Sequence, residues 1–219
     1  MKFASGDKIV LIGDSITDCG RSHPYGDGGF HAFGNGYVSV VAALLQSTYP
    51  ELNLRIVNMG SSGHNVRDLK ARWERDVLDL NPDWLSIMIG INDVWRQFDQ
   101  PSMTETHVLI EEYEAELEQL IARTKPTVKG LILMTPFYIE PNANDAMRNT
   151  MDAYGAVVKK LAEKYDALFV DVQEAFNKVL EHVYPASLGW DRVHPGLHGH
   201  AVIARAFLKA VDYDFNKGL

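Results

Sequence analysis

Four short stretches of this chain hold residue types that act together in acyl transfer. They are Gly13-Asp14-Ser15 near the N-terminus, Ser62-Gly63, Gly90-Ile91-Asn92-Asp93, and Asp191-Arg192-Val193-His194-Pro195 near the C-terminus. A serine hydroxyl attacks an acyl carbon when a base takes its proton and hydrogen-bond donors stabilise the oxyanion that forms. Asp191 precedes His194 by three residues in a turn ahead of the last helix. The carboxylate can there hold Nδ1–H of the imidazole and leave Nε2 free as the base. Gly63 offers a backbone amide that can approach a ligand closely, and Asn92 a side-chain NH₂. Each stretch taken alone also has a plainer reading, as a helix cap or a turn.

The chemistry depends on elements that bring these stretches together. Short β-branched runs over Ile9 to Ile12, Leu54 to Val57, Trp84 to Ile89, Gly130 to Met134 and Leu168 to Val172 read as five strands. Between them, Val66, Leu69, Trp73, Val77 and Leu80 recur at helical spacing, as do Val108, Tyr113, Leu117, Leu120 and Ile121. Strands that are apolar throughout and alternate with helices imply a parallel sheet covered on both faces, a three-layer α/β/α sandwich. With the strand order 2-1-3-4-5, the first three strands are neighbours. Ser15, Gly63 and Asn92 then emerge side by side at their C-terminal ends, where ligands bind in such sheets. Two long loops, Cys19 to Gly36 with six glycines and Asn92 to Thr106, are expected beside that edge.

Composition narrows the class. The 219 residues are 46% apolar, enough to bury a full core, and no repeat, low-complexity tract or linker divides them, so one domain is expected over residues 1–219. A net charge of −8 argues against nucleic acid or an anionic membrane as partner and favours a neutral or cationic small substrate. No apolar run is long enough to span a bilayer, and none of signal-peptide length precedes the first strand. The single cysteine, Cys19, excludes an internal disulfide. The expectation is a soluble cytoplasmic protein, and exposed termini in such a fold permit homo-oligomers. Neither GxxxxGK[ST] nor a GxGxxG after a strand is present, which disfavours nucleotide binding.

Taken together in this order, the four blocks resemble those of the SGNH (GDSL-type) hydrolase superfamily over nearly the whole chain. Isoleucine at position 16 stands where the GDSL label has leucine. The resemblance implies a flavodoxin-like SGNH hydrolase fold in a single domain, with no cofactor and no metal. It makes Ser15 the nucleophile, His194 the general base and Asp191 its orienting acid. The Ser15 amide, the Gly63 amide and the Asn92 side chain would form the oxyanion hole. Within the superfamily, Gly13-Asp14-Ser15-Ile16-Thr17-Asp18-Cys19-Gly20-Arg21, Asp68-Leu69-Lys70-Ala71-Arg72-Trp73 and Gly90-Ile91-Asn92-Asp93-Val94-Trp95-Arg96 are most similar to bacterial intracellular acetylxylan or acetyl-xylooligosaccharide esterases. That similarity implies removal of acetyl groups from xylan-derived oligosaccharides through an acyl-enzyme. A broad short-chain esterase, a lysophospholipase and a thioesterase are alternatives within the same chemistry. Trp95, Arg96, Tyr184 and Trp190, and also Tyr138, are the candidate substrate contacts, because a sugar favours aromatic platforms and hydrogen-bonding side chains.

Three rivals are weaker. His194, His198 and His200 cluster as metal ligands can, but Pro195 and Gly196 interrupt a helical spacing and no HExxH accompanies them, so His198 and His200 are expected at the surface or behind the site. An α/β-hydrolase elbow would need a second glycine where Thr17 stands. A noncatalytic carbohydrate-binding domain would not need the full serine, histidine and acid set.

Overall fold

In the computed structural model, residues 1–217 are described. Five strands, β1 (Lys8–Gly13), β2 (Arg55–Gly60), β3 (Trp84–Met88), β4 (Gly130–Met134) and β5 (Leu168–Val170), form one parallel sheet in the order β2-β1-β3-β4-β5. Their interior positions are buried on both faces, which explains why they read as continuous apolar runs rather than alternating ones. The helices are α1 (Ser15–Asp18), α2 (Tyr37–Thr48), α3 (Val66–Ala71), α4 (Ile91–Asp99), α5 (Ile110–Thr124), α6 (Ala146–Lys164), α7 (Val172–Leu180), α8 (Pro185–Leu188) and α9 (Leu197–Ala210). Helix α9 packs against α2 and α7, while α5 packs against α3 and α6, giving the two outer layers of the expected sandwich.

Register places the chemistry. Gly13 of β1 pairs with Gly60 of β2 on one side and Met88 of β3 on the other, so the segments leaving these three strands start from adjacent points on one rim. The strand ends approach so closely that a side chain at position 60 is excluded: a Cβ there would lie 2.0 Å from the Asp18 amide nitrogen. At the end of β3, Gly90 turns the chain with φ of +128°, a region that favours glycine, and Pro136 closes against it.

Three expectations for the elements change. The apolar period from Val66 to Leu80 is not one α-helix. Asn65 opens α3 with a capping box to Asp68, but the helix ends at Ala71 and the chain continues through a π-helical turn over Glu74–Leu78. Arg72, which ends α3, reaches inward to the strand ends. The segment expected as a loop from Asn92 to Thr106 begins as α4. Its Ile91, Val94, Trp95 and Phe98 hold helical spacing, with Ile91 and Val94 in the core. The last strand stops at Val170 because Asp171 accepts the Glu174 amide and starts α7.

Candidate active site

Asp14 and Ser15 occupy the turn from β1 into α1. The Asp14 carboxylate accepts a hydrogen bond from the Ile16 amide at 2.9 Å, so the helix cap is real. The cap leaves the next residue, Ser15, directed out of the rim, and its Oγ lies 2.9 Å from His194 Nε2. His194 Nδ1 lies 2.7 Å from Asp191 Oδ2. Since that carboxylate can only accept, Nδ1 carries the proton and the Nε2 lone pair faces the serine hydroxyl. The other Asp191 oxygen accepts the amides of Val193 and His194 at 3.0 and 2.8 Å, which closes the turn around the pair. Burial opposes ionisation of Asp191, but its bonds to His194 and to the two amides outweigh burial and hold the carboxyl below its ordinary range. The arrangement is a continuous acid, base and hydroxyl relay at an open rim, with the His194 side chain 43% exposed and that of Asp191 16%.

The other two strand ends are bound to this one. Asp18, on α1, accepts the Ser62 amide at 3.1 Å and the Ser62 hydroxyl at 2.8 Å, and the Ser61 amide donates to the Gly13 carbonyl at 3.0 Å. Gly63 follows at the exposed tip of this turn with φ of +81°. Asn92, buried at the start of α4, donates Nδ2–H to the His64 carbonyl at 2.9 Å. One of its two amide hydrogens thereby joins the β3 end to the β2 turn.

A family model described as the GDSL-like Lipase/Acylhydrolase family matches residues 11–202. The chain belongs to this family. An acetylxylan esterase of Geobacillus stearothermophilus is 61% identical over 215 residues, 98% of each chain. Crystal structures of three forms of that esterase, Axe2, described as the catalytic mutants S15A, H194A and D191A, align with TM-scores of 0.98, 0.97 and 0.98 at 60%, 61% and 60% identity. They cover 100%, 98% and 100% of both chains. The mutated positions carry the same numbers as the three relay residues here.

In this GDSL-like hydrolase the candidate substrate contacts divide into two sets. Trp95 packs edge-on against the His194 ring with centroids 5.7 Å apart, and the Arg96 guanidinium lies 4.5 Å above the Trp95 ring. Arg96 is also paired with Asp99 and reaches the Asn92 Oδ1 at 3.4 Å. Trp95 therefore walls the base, and Arg96 backs Trp95. Trp190 and Tyr184 stand open, 84% and 74% exposed, on the segment leading to Asp191. Tyr138 is half-buried, its backbone held by the Gln173 side chain.

His198 is exposed at the start of α9, as expected. His200 is not at the surface. It is buried, accepts the Tyr37 amide at Nδ1 at 3.2 Å and directs Nε2 at the Cys19 sulfur 3.5 Å away. Burial, reinforced by the charge of His194, pushes its pKa down to about 4, so it stays neutral and serves as a strut between α9 and the start of α2.

Sequence reasoning missed the polar groups beneath the rim. Buried Arg72 donates to the Gly13 carbonyl at 2.7 Å, to the Met59 carbonyl at 2.6 Å and to Asp76 at 2.9 Å. Buried Asn58 donates to the Thr17 and Phe33 carbonyls at 2.7 and 2.9 Å and accepts the Gly60 amide. Asp14 and Asp93, which accepts the Val66 amide, are both buried, and burial raises each pKa to about 7. A signal did exist for these positions: charged residues inside otherwise apolar periods, such as Arg72 between Leu69 and Trp73, mark groups that must find buried partners.

Proposed function

We propose that this chain is a serine esterase that removes acetyl groups from acetylated xylan-derived oligosaccharides through an acetyl-enzyme. The observation that carries the reading is the unbroken relay from Asp191 through His194 to Ser15, with both contacts under 3 Å. His194 Nε2 takes the Ser15 proton as Oγ bonds to the acetyl carbonyl carbon, and the carbonyl electron pair moves onto its oxygen. That oxyanion is received by the Ser15 and Gly63 amides and the second Asn92 amide hydrogen. The bond to the sugar oxygen then breaks, and that oxygen takes the proton from His194. Water repeats the sequence on the acetyl-enzyme, releasing acetate and restoring Ser15. Asp191 stays anionic throughout and stabilises the imidazolium formed in each half.

The acetyl-sugar assignment is supported by 61% identity to an acetylxylan esterase along 98% of the chain. It is also supported by the site's surface: Trp95, backed by Arg96, walls the base, and Trp190 and Tyr184 offer flat apolar faces to the ring of a saccharide. A cytoplasmic setting suits the lone cysteine, and among the described residues no helix is long and apolar enough to cross a membrane.

The test compares kcat/KM on acetylated xylooligosaccharides, short and long p-nitrophenyl esters, and acyl thioesters. Efficient release from the acetylated saccharides and the aryl acetate, with little from long-chain esters, is expected. Preference for long acyl chains or thioesters would overturn the acetyl-sugar assignment. A folded protein inert on every substrate would overturn the hydrolase reading.

A further inference from the structure

A cleft of about 460 Å³ opens at the outer edge of the sheet, beside the turn that leaves β2. Its wall includes Ser61, two residues before Gly63, and two guanidinium groups, those of Arg21 and Arg75. Arg21 is only 5% exposed. It donates Nε to the Gly60 carbonyl at 2.6 Å and Nη1 to the Ser22 and Pro24 carbonyls at 2.9 Å, which leaves Nη2 without a partner among the described residues. Arg75 directs Nε and Nη2 at Asp76, at 2.5 and 2.9 Å, and likewise keeps Nη1 free on a side chain that is 70% exposed.

The charges around this cleft do not cancel. Asp76 is shared between Arg75 and buried Arg72, and Asp18 is occupied by the Ser62 amide and hydroxyl and the Arg21 amide. Three guanidiniums against two carboxylates leave one positive charge, in a chain whose net charge is −8. The cleft also holds the Tyr25 ring and hydroxyl, the His23 imidazole and the Ser61 hydroxyl, none of which bonds to another described side chain. An aromatic face with hydroxyl and imidazole groups suits a sugar ring, and two unfilled guanidinium donors suit a carboxylate. A single excess charge matches a monoanion rather than a phosphate dianion.

We propose that this cleft is a subsite for a carboxylate carried by the substrate, namely a uronic-acid side group on the acetylated oligosaccharide. The inference rests on the acetyl-saccharide reading above and extends it from the reacting ester to a charged neighbour. Ser61, which lines the cleft, belongs to the same turn as Gly63, and its amide donates to the carbonyl of Gly13, two residues before Ser15, so the cleft adjoins the turn proposed to receive the oxyanion.

Two measurements test it. In the first, Ser15→Ala protein, which cannot turn over, is titrated at low salt with glucuronate, glucose and acetate. Saturable binding of glucuronate with no binding of glucose is expected. Glucuronate binding no better than glucose would overturn the subsite, and acetate binding as tightly as glucuronate would overturn its assignment to a saccharide. In the second, kcat/KM of the wild-type protein is compared on acetylated oligosaccharides of equal length with and without a uronic-acid group. A preference of about fivefold is expected at low salt, the scale of an exposed ion pair, shrinking as salt is added. Arg75→Gln should bring the ratio towards one. A wild-type ratio near one at low salt, or a preference that salt and Arg75→Gln leave unchanged, would overturn the proposal. If the acetyl-saccharide reading fails, neither oligosaccharide is hydrolysed while aryl acetates are, and the titration still decides whether the cleft binds.

Discussion

The two halves of the relay are built differently. Ser15 sits at the end of a central strand, above a layer of buried polar groups in which Arg72, Asn58, Asp18 and Asp14 each bond to backbone at the strand ends. His194 and Asp191 sit on an exposed turn held by a few contacts. The Ile139 amide donates to the Arg192 carbonyl at 2.9 Å, the Gly196 amide donates to the Leu188 carbonyl at 2.7 Å, and Arg192 pairs with Glu140. Arg192 itself has φ of +62°, a conformation that costs a non-glycine residue about 1 kcal/mol or more. The difference teaches that the nucleophile is placed by the core, while the base is placed by local bonds around one carboxylate. Mutations beneath the serine should act through folding, whereas mutations around the histidine should act through geometry.

The largest effect is expected at the point where the halves meet. Ser15→Ala should lower kcat by about 10⁴-fold or more with little change in Tm, because among the described residues the Ser15 hydroxyl bonds only to His194. A Tm loss of many degrees would show that the hydroxyl is structural, and the comparison would fail. Asp191→Asn keeps an oxygen for the Val193 and His194 amides but offers Nδ1 a donor or a neutral acceptor, favouring the wrong tautomer. A fall in kcat of about 10²–10⁴-fold, with the thermal transition retained, is expected. On the serine side, Asn92→Ala removes the proposed oxyanion donor and the tie to the His64 carbonyl. Here kcat should drop by about 10²–10³-fold, and unlike Asp191→Asn it should also lower Tm. Glu140→Gln loosens only the Arg192 anchor, so a severalfold loss of kcat with nearly unchanged Tm is expected from steady-state kinetics and calorimetry.

A pH titration of stability sharpens the contrast with no mutation in the relay. Asp14 and Asp93 have folded pKa values raised to about 7 by burial, so the folded protein retains protons that the unfolded chain releases above about pH 4. Their contribution is therefore lost as pH rises from about 4 to 7. His200, with its folded pKa pushed down to about 4, acts oppositely: the unfolded chain binds a proton below about pH 6.5 that the folded one refuses, so stability falls as pH drops from there towards 4. Denaturant unfolding of Asp93→Asn should show a smaller loss of stability than the wild type as pH rises from about 4 to 7, leaving the opposite slope that His200 contributes over the same interval more visible.

Most of the relay was legible in the sequence because each member lies at a break between elements. Ser15 follows an apolar strand directly, and the three-residue step from Asp191 to His194 is a local spacing that one turn can close. The five strands were legible as apolar runs separated by helical periods, which alone restrict the topology to a few orders; the order itself came with the family resemblance. What stayed hidden are bonds whose partners are far apart in the chain. Arg72 reaches a carbonyl 59 residues away and Asn58 one 41 residues away, and neither leaves a periodic trace. The π-helical turn over Glu74–Leu78 was hidden because the apolar spacing from Val66 to Leu80 survives it. Helix α4 was legible through Ile91, Val94, Trp95 and Phe98, but its polar residues suggested a loop. For His200 the sequence left surface and buried positions open, because its amide and thiol partners come from the distant segment around Cys19 and Tyr37.

The central claim is that Ser15 is the group that becomes acylated. It is tested most directly by reacting the intact protein with a serine-directed phosphonate and mapping the adduct by mass spectrometry. A single adduct on Ser15 is predicted, formed in step with loss of esterase activity, absent from Ser15→Ala and slow in Asp191→Asn. An adduct on another serine, such as Ser61 or Ser62, or full turnover by protein whose Ser15 is already modified, would contradict it.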